Sequence, residues 1–165
     1  QSGLFLFPLN GIPCIEKFVH LFSKQYSHIL LLCHMKSEIF QNSLVVVAAD
    51  IDDMDHVNNV VYLKWVQDIA KQHWESKTDS SIRNTYVWVV LNHYIEYHKP
   101  ALLGDEILLK TWIENYNGAK SERHTEIIHK VSGKILCSAK TNWCLLTKET
   151  LRPARITDEI SKLFS

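Results

Sequence analysis

A short polar segment, Asp50-Ile-Asp-Asp-Met-Asp-His-Val-Asn-Asn-Val60, holds four carboxylates, one imidazole and two side-chain amides within eleven residues. A carboxylate or an imidazole can take a proton from water, and amide groups can stabilise an oxygen that becomes negative. Polar groups at this density are costly to bury, and an ordinary solvated loop seldom runs directly into an apolar helical pattern. We therefore expect the chemistry of the protein in this segment.

The segment lies between a predicted strand and a predicted helix. Leu44 to Ala49 is a β-branched run typical of a buried strand that ends at Asp50. Asn58 or Asn59 can serve as the N-cap of a helix that runs to about Lys77. The core-facing stripe of that helix recurs at three- and four-residue steps and comprises Tyr62, Leu63, Val66, Ile69 and Ala70.

Four long strand patterns follow a turn at Asp79-Ser-Ser, with tight turns at Asn117-Gly118 and Ser132-Gly133. They run from Tyr86 to His98, Glu106 to Tyr116, Ser121 to Val131, and Lys134 to Thr147, and they predict an antiparallel meander. A last helix, capped by Thr157, is predicted from Asp158 to Phe164. The fold class is therefore α+β, with an antiparallel sheet wrapped around one long central helix.

Composition narrows the classes of partner. The 165 residues suit a single domain, and 18 basic against 18 acidic residues produce no field that favours nucleic acid or an anionic membrane. The four cysteines lack CxxC spacing, which indicates a reducing compartment, and no apolar run reaches the roughly 20 residues of a membrane helix. We expect a soluble, cytoplasmic protein without a bound metal or cofactor.

The first 34 residues differ from the rest of the chain. They are rich in Leu, Phe and Ile, contain Glu16 as their sole acid, and lack the features of a secretory signal. We interpret residues 1–34 as an extension of uncertain status, with a native start at Met35 and a domain over 35–165. The alternative is a docked amphipathic helix from about Ile15 to Leu32.

Three sequence blocks together resemble a known family. Asp50-x-Asp52-x-x-x-His56-Val-Asn-Asn59-x-x-Tyr62-Leu-x-Trp65 is similar to the signature loop and helix start of the hotdog-fold acyl-CoA thioesterases, of the 4-hydroxybenzoyl-CoA thioesterase-like type. The block from Ile95 to Ile107, with His-Lys-Pro100-Ala-Leu-Leu-Gly104-Asp105 inside it, resembles that family's second-strand region. Trp143 and Leu151-Arg-Pro-Ala-Arg-Ile-Thr extend the similarity to roughly residues 40 to 160.

The resemblance implies hydrolysis of an acyl-CoA thioester to a free acid and CoA. Asp52 matches the catalytic carboxylate, acting either as general base on water or as nucleophile, and the Asn59 amide matches the donor that polarises the thioester carbonyl. His56 and Asn58 match residues that orient the carboxylate, the water or the carbonyl. Tyr62 is assigned to substrate binding, against the alternative that its helical spacing places it in the core.

Other interpretations stay open for the same residues. Asp52 can be a capping residue, N-capping alone explains one of Asn58 and Asn59, and Asp50 suits a turn. Asp55 stands where the family commonly has glycine, and Met54 stands where plant acyl-carrier-protein thioesterases use asparagine. His93, His98, His124 and His129 have no metal-binding spacing, and we interpret them as strand residues.

The family pattern also implies partners. Hotdog proteins pair into a continuous sheet, so we expect a homodimer or a dimer-of-dimers tetramer, with the strand from Tyr86 to His98 of the partner contributing to each site. The predicted substrate is acyl-CoA. The alternatives are an acyl-acyl-carrier-protein (acyl-ACP) substrate, or a non-catalytic hotdog module that binds acyl thioesters.

Overall fold

The computed structural model describes residues 37–165. The predicted extension over residues 1–34, the start at Met35 and the alternative helix from Ile15 to Leu32 lie outside the described residues, so these interpretations stay predictions. Over the described part of the chain, no helix is long and apolar enough to cross a membrane.

One five-stranded sheet, antiparallel at every pairing, forms the frame of the molecule. Its strands lie in the spatial order β1-β3-β4-β5-β2. Their bounds are β1 Phe40–Val45, β2 Tyr86–Tyr97, β3 Glu106–Asn117, β4 Lys120–His129 and β5 Lys134–Thr147. Alternate residues of β3 and β4 are buried because a strand places successive side chains on opposite faces.

A long helix, α1 (Asn59–Lys77), packs on the buried face of this sheet. Its buried side chains recur at helical steps and contact the inward residues of the strands, including Ile107, Leu109 and Ile127. The predicted α+β class and the predicted bounds of this helix are confirmed. Two short helices complete the fold, α2 (Ser80–Thr85) and α3 (Asp158–Lys162), and Thr157 caps α3 as predicted.

Three details of the prediction are wrong. The first strand is Phe40–Val45, and Ala48–Asp50 forms a 3-10 turn, because the Asp50 carboxylate accepts a hydrogen bond from the Val47 N–H and closes the chain on itself. The predicted turn after Asp79 is instead the start of α2, since the Asp79 side chain caps the Ile82 N–H.

The predicted four-strand meander is wrong for its first strand, β2. β3, β4 and β5 follow one another through the two predicted glycine turns, but β2 pairs with β5 and not with β3. The connection containing Pro100 and Gly104 is therefore not a hairpin, and it carries the chain from one edge strand back to the interior strand beside β1. As a result, β2 occupies a free edge of the sheet.

Candidate active site

The polar segment folds into a small hairpin directly before α1. Ile51 and Val57 form an isolated antiparallel bridge, and the Asp52 N–H donates to the His56 carbonyl oxygen at 2.8 Å. Asp55 closes the tip with φ 60°, in the left-handed region, and its N–H donates to the Asp52 carbonyl oxygen at 3.1 Å. The expectation that Asp55 builds a turn usually made by glycine is confirmed, because aspartate tolerates this conformation better than most residues.

The Asp52 carboxylate is fixed by its own loop and remains half-buried. One of its oxygens, Oδ1, accepts a hydrogen bond from the Met54 N–H at 2.9 Å, an arrangement that orients the carboxyl group. Within residues 37–165, no donor contacts the other oxygen. The group is therefore oriented and still has an oxygen that can accept a proton.

The start of α1 leaves a backbone donor unused. The Asn58 side-chain oxygen accepts from the Val60 N–H at 2.9 Å, and the Asn58 carbonyl oxygen accepts from the Val61 N–H at 2.9 Å. The Asn59 N–H has no acceptor among the described residues. Asn58 is thus the N-cap, and Asn59 presents a free N–H at the positive end of the helix dipole.

The connection between β2 and β3 holds this arrangement in place through Ala101. The Ala101 carbonyl oxygen accepts from the Val57 N–H at 3.0 Å, and the Ala101 N–H donates to the Tyr62 hydroxyl at 2.8 Å. Tyr97 adds a third link, since its hydroxyl donates to the Asn59 carbonyl oxygen at 3.2 Å. The family-like block around Pro100 therefore acts as a clamp on the loop and on the first turn of α1.

Tyr62 lies in the core, with 2% of its surface exposed, and burial raises the pKa of its hydroxyl. Its substrate-binding role stays a prediction. His56 is half-buried beside the loop, and the residue contributes its backbone carbonyl to the hairpin. Tyr97 and Ala101 lie inside the block from Ile95 to Ile107 that resembles the family, but their contacts with the start of α1 were not predicted.

The Asp50–Val60 segment contains neither of the two described cysteines, Cys137 and Cys144, and none of His93, His98, His124 and His129. Burial raises the pKa of Cys137 to about 12, which makes this thiol unreactive at neutral pH. The described residues contain no group of three or more His, Cys, Asp or Glu side chains that could hold a metal ion. His93 and His98 bond to Thr141 and Ser138 on the neighbouring strand.

A cavity of about 460 Å³ lies further along α1, lined by helix residues from Gln67 to Glu75 and by residues of the sheet. None of the predicted catalytic residues lines it. Gln67 is eight residues beyond Asn59, so the nearest helical wall of the cavity is about 12 Å along the helix axis from the free N–H, at 1.5 Å per residue. The loop and the cavity are distinct places in the molecule.

Fold and loop together define a thioesterase-like hotdog domain, and the comparisons with known proteins agree. The model of the acyl-ACP thioesterase N-terminal domain matches residues 37–164. The chain therefore belongs to the acyl-ACP thioesterase family, and the predicted resemblance to hotdog thioesterases is confirmed.

Individual relatives differ in their acyl carriers. The chain is 23% identical over 84 residues to oleoyl-acyl carrier protein thioesterase 1 of Arabidopsis thaliana, a match that covers 50% of this chain and 23% of the plant enzyme. The chain thus spans about a quarter of that relative. It is 22% identical over 125 residues to the long-chain acyl-CoA thioesterase FadM of Escherichia coli, covering 73% of this chain and 92% of FadM.

A solved structure establishes the fold. The 1,4-dihydroxy-2-naphthoyl-CoA thioesterase of Synechocystis superposes with a TM-score of 0.68 at 18% identity, and the match covers 77% of this chain and 96% of that chain. At this level of identity the likeness shows a shared fold, which is the predicted hotdog architecture of a sheet wrapped around a helix.

Proposed function

We propose that this protein hydrolyses acyl thioesters at the start of α1. The observation that carries the proposal is the free Asn59 N–H at the helix N-terminus, directly after a loop that orients the Asp52 carboxylate. A backbone N–H at this place favours the negative charge that develops on a thioester carbonyl oxygen under attack. Family membership supports the same reaction.

Asp52 acts in one of two ways in this scheme. As general base it takes a proton from water, the resulting hydroxide attacks the carbonyl carbon, the C–S bond breaks, and the thiolate leaves and takes up a proton. As nucleophile it forms a mixed anhydride with release of the thiol, and water then hydrolyses the anhydride. His56 and the Asn58 amide nitrogen are positioning residues in either scheme.

The acyl donor has two candidates, each with its own support. Acyl-CoA is favoured by the likeness to FadM, 92% of whose length the match covers. Acyl-ACP is favoured by the matching family model and by the plant relatives. A non-catalytic module that binds acyl thioesters is the third possibility, and the oriented carboxylate argues against it.

We propose further that the protein works as a homodimer. β2 lies at an edge of the sheet, where its unpaired backbone groups are available to a second chain. Val89, Leu91 and Tyr94 of this strand are exposed. Light scattering after gel filtration should show twice or four times the monomer mass, and a monomer at micromolar concentration would contradict the dimer.

The test of the function is release of free thiol from a panel of acyl-CoAs and acyl-ACPs with short, long and aromatic acyl groups. We expect turnover of at least one class, and the carrier on which it is fastest names the donor. Asp52→Asn should lower kcat by about 10²–10⁴-fold, the range of positioned acid–base catalysis. The matched control is Asp53→Asn, since Asp53 is an exposed neighbouring carboxylate.

The measurement distinguishes a wrongly assigned catalytic residue from a protein that only binds thioesters. Full activity in Asp52→Asn with a normal melting curve would place the catalytic group elsewhere. Absence of turnover on every CoA and ACP ester, with tight binding of the same esters, would favour the binding module over an enzyme.

A further inference from the structure

The cavity beside the second half of α1 has aromatic walls and a cationic centre. Trp74 of α1, Trp88 of β2 and Trp143 of β5 line it together with Ile113, Ser121 and Arg123. Trp74 and Trp88 meet edge to face, with ring centroids 5.8 Å apart. Such walls suit an apolar ligand, and the volume of about 460 Å³ is in the range of small-molecule sites.

Arg123 is a buried cation without an acidic partner in residues 37–165. Its residue is 7% exposed, and its Nη1 donates to His73 Nδ1 at 3.0 Å and to Thr111 Oγ1 at 3.2 Å. No carboxylate among the described residues forms an ion pair with it. Because buried charges are normally paired, a guanidinium in this condition favours an anion that the described residues do not supply.

Several buried hydrogen-bond donors near Arg123 also lack an acceptor among the described residues. His73 accepts the Arg123 bond at Nδ1, and burial followed by the Arg123 charge lowers the pKa of His73 to about 3, so the neutral ring carries its proton on Nε2. That Nε2, the Trp143 Nε1 and the Tyr116 hydroxyl are buried without a hydrogen-bond partner in the described part of the chain. Unpartnered buried donors are costly, and an acceptor-rich ligand would satisfy those within its reach.

The rim of the cavity adds positive charge. Lys71, Arg83 and Lys148 line it besides Arg123, against two acids, Asp68 and Glu75. Asp68 is paired with Lys64 at 2.6 Å, and Glu75 with Lys71 at 3.8 Å. Four cations against two anions leave an excess of two positive charges on the lining. The field at the mouth of the cavity therefore favours an anion.

We propose that this cavity binds a carboxylate on an apolar body, with the carboxylate oxygens on the Arg123 guanidinium and the apolar body against the tryptophans. A planar guanidinium matches a carboxylate in geometry, and Arg123 has donors beyond Nη1 for it. The proposal concerns binding at a place distinct from the Asp52 loop, so it does not require thioester hydrolysis.

Tryptophan fluorescence tests the proposal, because three of the five tryptophans of the chain line the cavity. The full chain is titrated with dodecanoate and with 1-dodecanol, which has the same chain length and no charge. We expect dodecanoate to bind about 10- to 100-fold more tightly, as a charge-assisted hydrogen bond predicts. Equal affinities for the two ligands would overturn the proposal without any variant.

Arg123→Gln should abolish the preference for dodecanoate, while Arg155→Gln, at an exposed arginine outside the cavity, should preserve it. A preference that survives in Arg123→Gln would overturn the proposal. If that variant does not fold, Ser121→Phe fills the cavity and leaves the guanidinium in place. It should weaken dodecanoate binding at least tenfold, and wild-type affinity would place the ligand elsewhere.

The carboxylate has two sources, a free acid or the far end of an acyl group still bound to CoA. The same titration with dodecanoyl-CoA and with the CoA monothioester of dodecanedioic acid distinguishes them. Tighter binding of the second ester, lost in Arg123→Gln, assigns the carboxylate to the acyl group, and preference for dodecanoate alone assigns it to a free acid. Under both assignments, the affinity for the carboxylate ligand must fall in Arg123→Gln. If the variant binds every ligand as tightly as the wild type does, the proposal is wrong.

Discussion

The polar side chains at the two ends of α1 differ in their exposure and in their hydrogen bonding. At the N-terminal end, Asp52 and Asn58 lie near solvent, and each side chain is oriented by one hydrogen bond from a nearby backbone N–H. At the other end, Arg123 and His73 are buried and contact each other, and donors around them have no acceptor within residues 37–165. One end is built from a local hairpin, and the other from side chains that four strands and a helix bring together.

Each end of α1 is suited to a different function. Hydrolysis needs water, so an oriented carboxylate in an accessible loop is suited to it. Recognition of an anion gains strength where water is excluded, so a buried guanidinium is suited to binding. The negative loop and the positive cavity lie along one helix, and each can be changed without touching the other.

The largest expected effect on stability comes from the clamp at the N-terminal end. Tyr62→Phe removes the acceptor of the buried Ala101 N–H, which should lower the free energy of unfolding by about 1–3 kcal/mol in urea titration. Tyr94→Phe is the matched control, because Tyr94 is exposed and should change stability by less than about 0.5 kcal/mol. Equal stability of the two variants would mean that the clamp contributes nothing.

The burial of His73 near the cavity should make the stability of the protein depend on pH. The folded-state pKa of His73 is about 3, below the ordinary value of 6.5, because burial and the Arg123 charge disfavour the imidazolium. The unfolded chain therefore binds a proton as pH falls below 6.5 while the folded chain does not, and stability is lost on acidification. Between pH 7.5 and pH 5 this loss should be about 2 kcal/mol.

His73→Gln keeps an acceptor for Arg123 and removes the titrating group. Urea unfolding of this variant should show a pH dependence over the same range that is smaller by about 2 kcal/mol. An unchanged pH dependence would show that His73 does not control acid stability.

The smallest effect is expected at the tip of the hairpin. Asp55→Val places a β-branched residue at φ 60° and should destabilise the protein by about 1 kcal/mol. Asp53→Val, two residues earlier and without a positive φ, should be nearly neutral. The pair is compared by thermal unfolding, and a neutral Asp55→Val would mean that the loop relaxes.

The N-terminal end could be predicted from the sequence because its structure is local. The bounds of α1 and a cap at Asn58 or Asn59 follow from neighbours within a few residues, and the structure selects Asn58. The turn at Asp55 was expected from the resemblance to the family, in which this position is commonly glycine. The Tyr97 and Ala101 contacts could not be predicted, since they join residues 38 or 39 positions apart. The pairing of β2 with β5 could not be predicted either, because strand patterns alone do not specify which strands pair.

The cavity could not be predicted from the sequence either, because its side chains are far apart in the chain. Arg123 is one of 18 basic residues, and nothing next to it in the chain distinguishes it from a solvated strand arginine. Its burial depends on the register of β4 with β3, which places it opposite Ile113 and facing His73. His73 occupies a core position on α1, and its tautomer is set by Arg123, 50 residues away in the chain.

The most direct test of thioester hydrolysis at the start of α1 is the rate of thiol release by Asn59→Pro beside Asn59→Ala. Proline removes the free N–H at the first helical position, where it is well tolerated, and the extended Asn58 (φ −60°, ψ 138°) is compatible with a following proline. Alanine keeps the N–H. We predict that Asn59→Pro folds normally and has a kcat about 10²–10³-fold below that of Asn59→Ala, the loss expected for one oxyanion donor. Equal rates for the two variants would mean that the Asn59 N–H does not stabilise the transition state of the reaction.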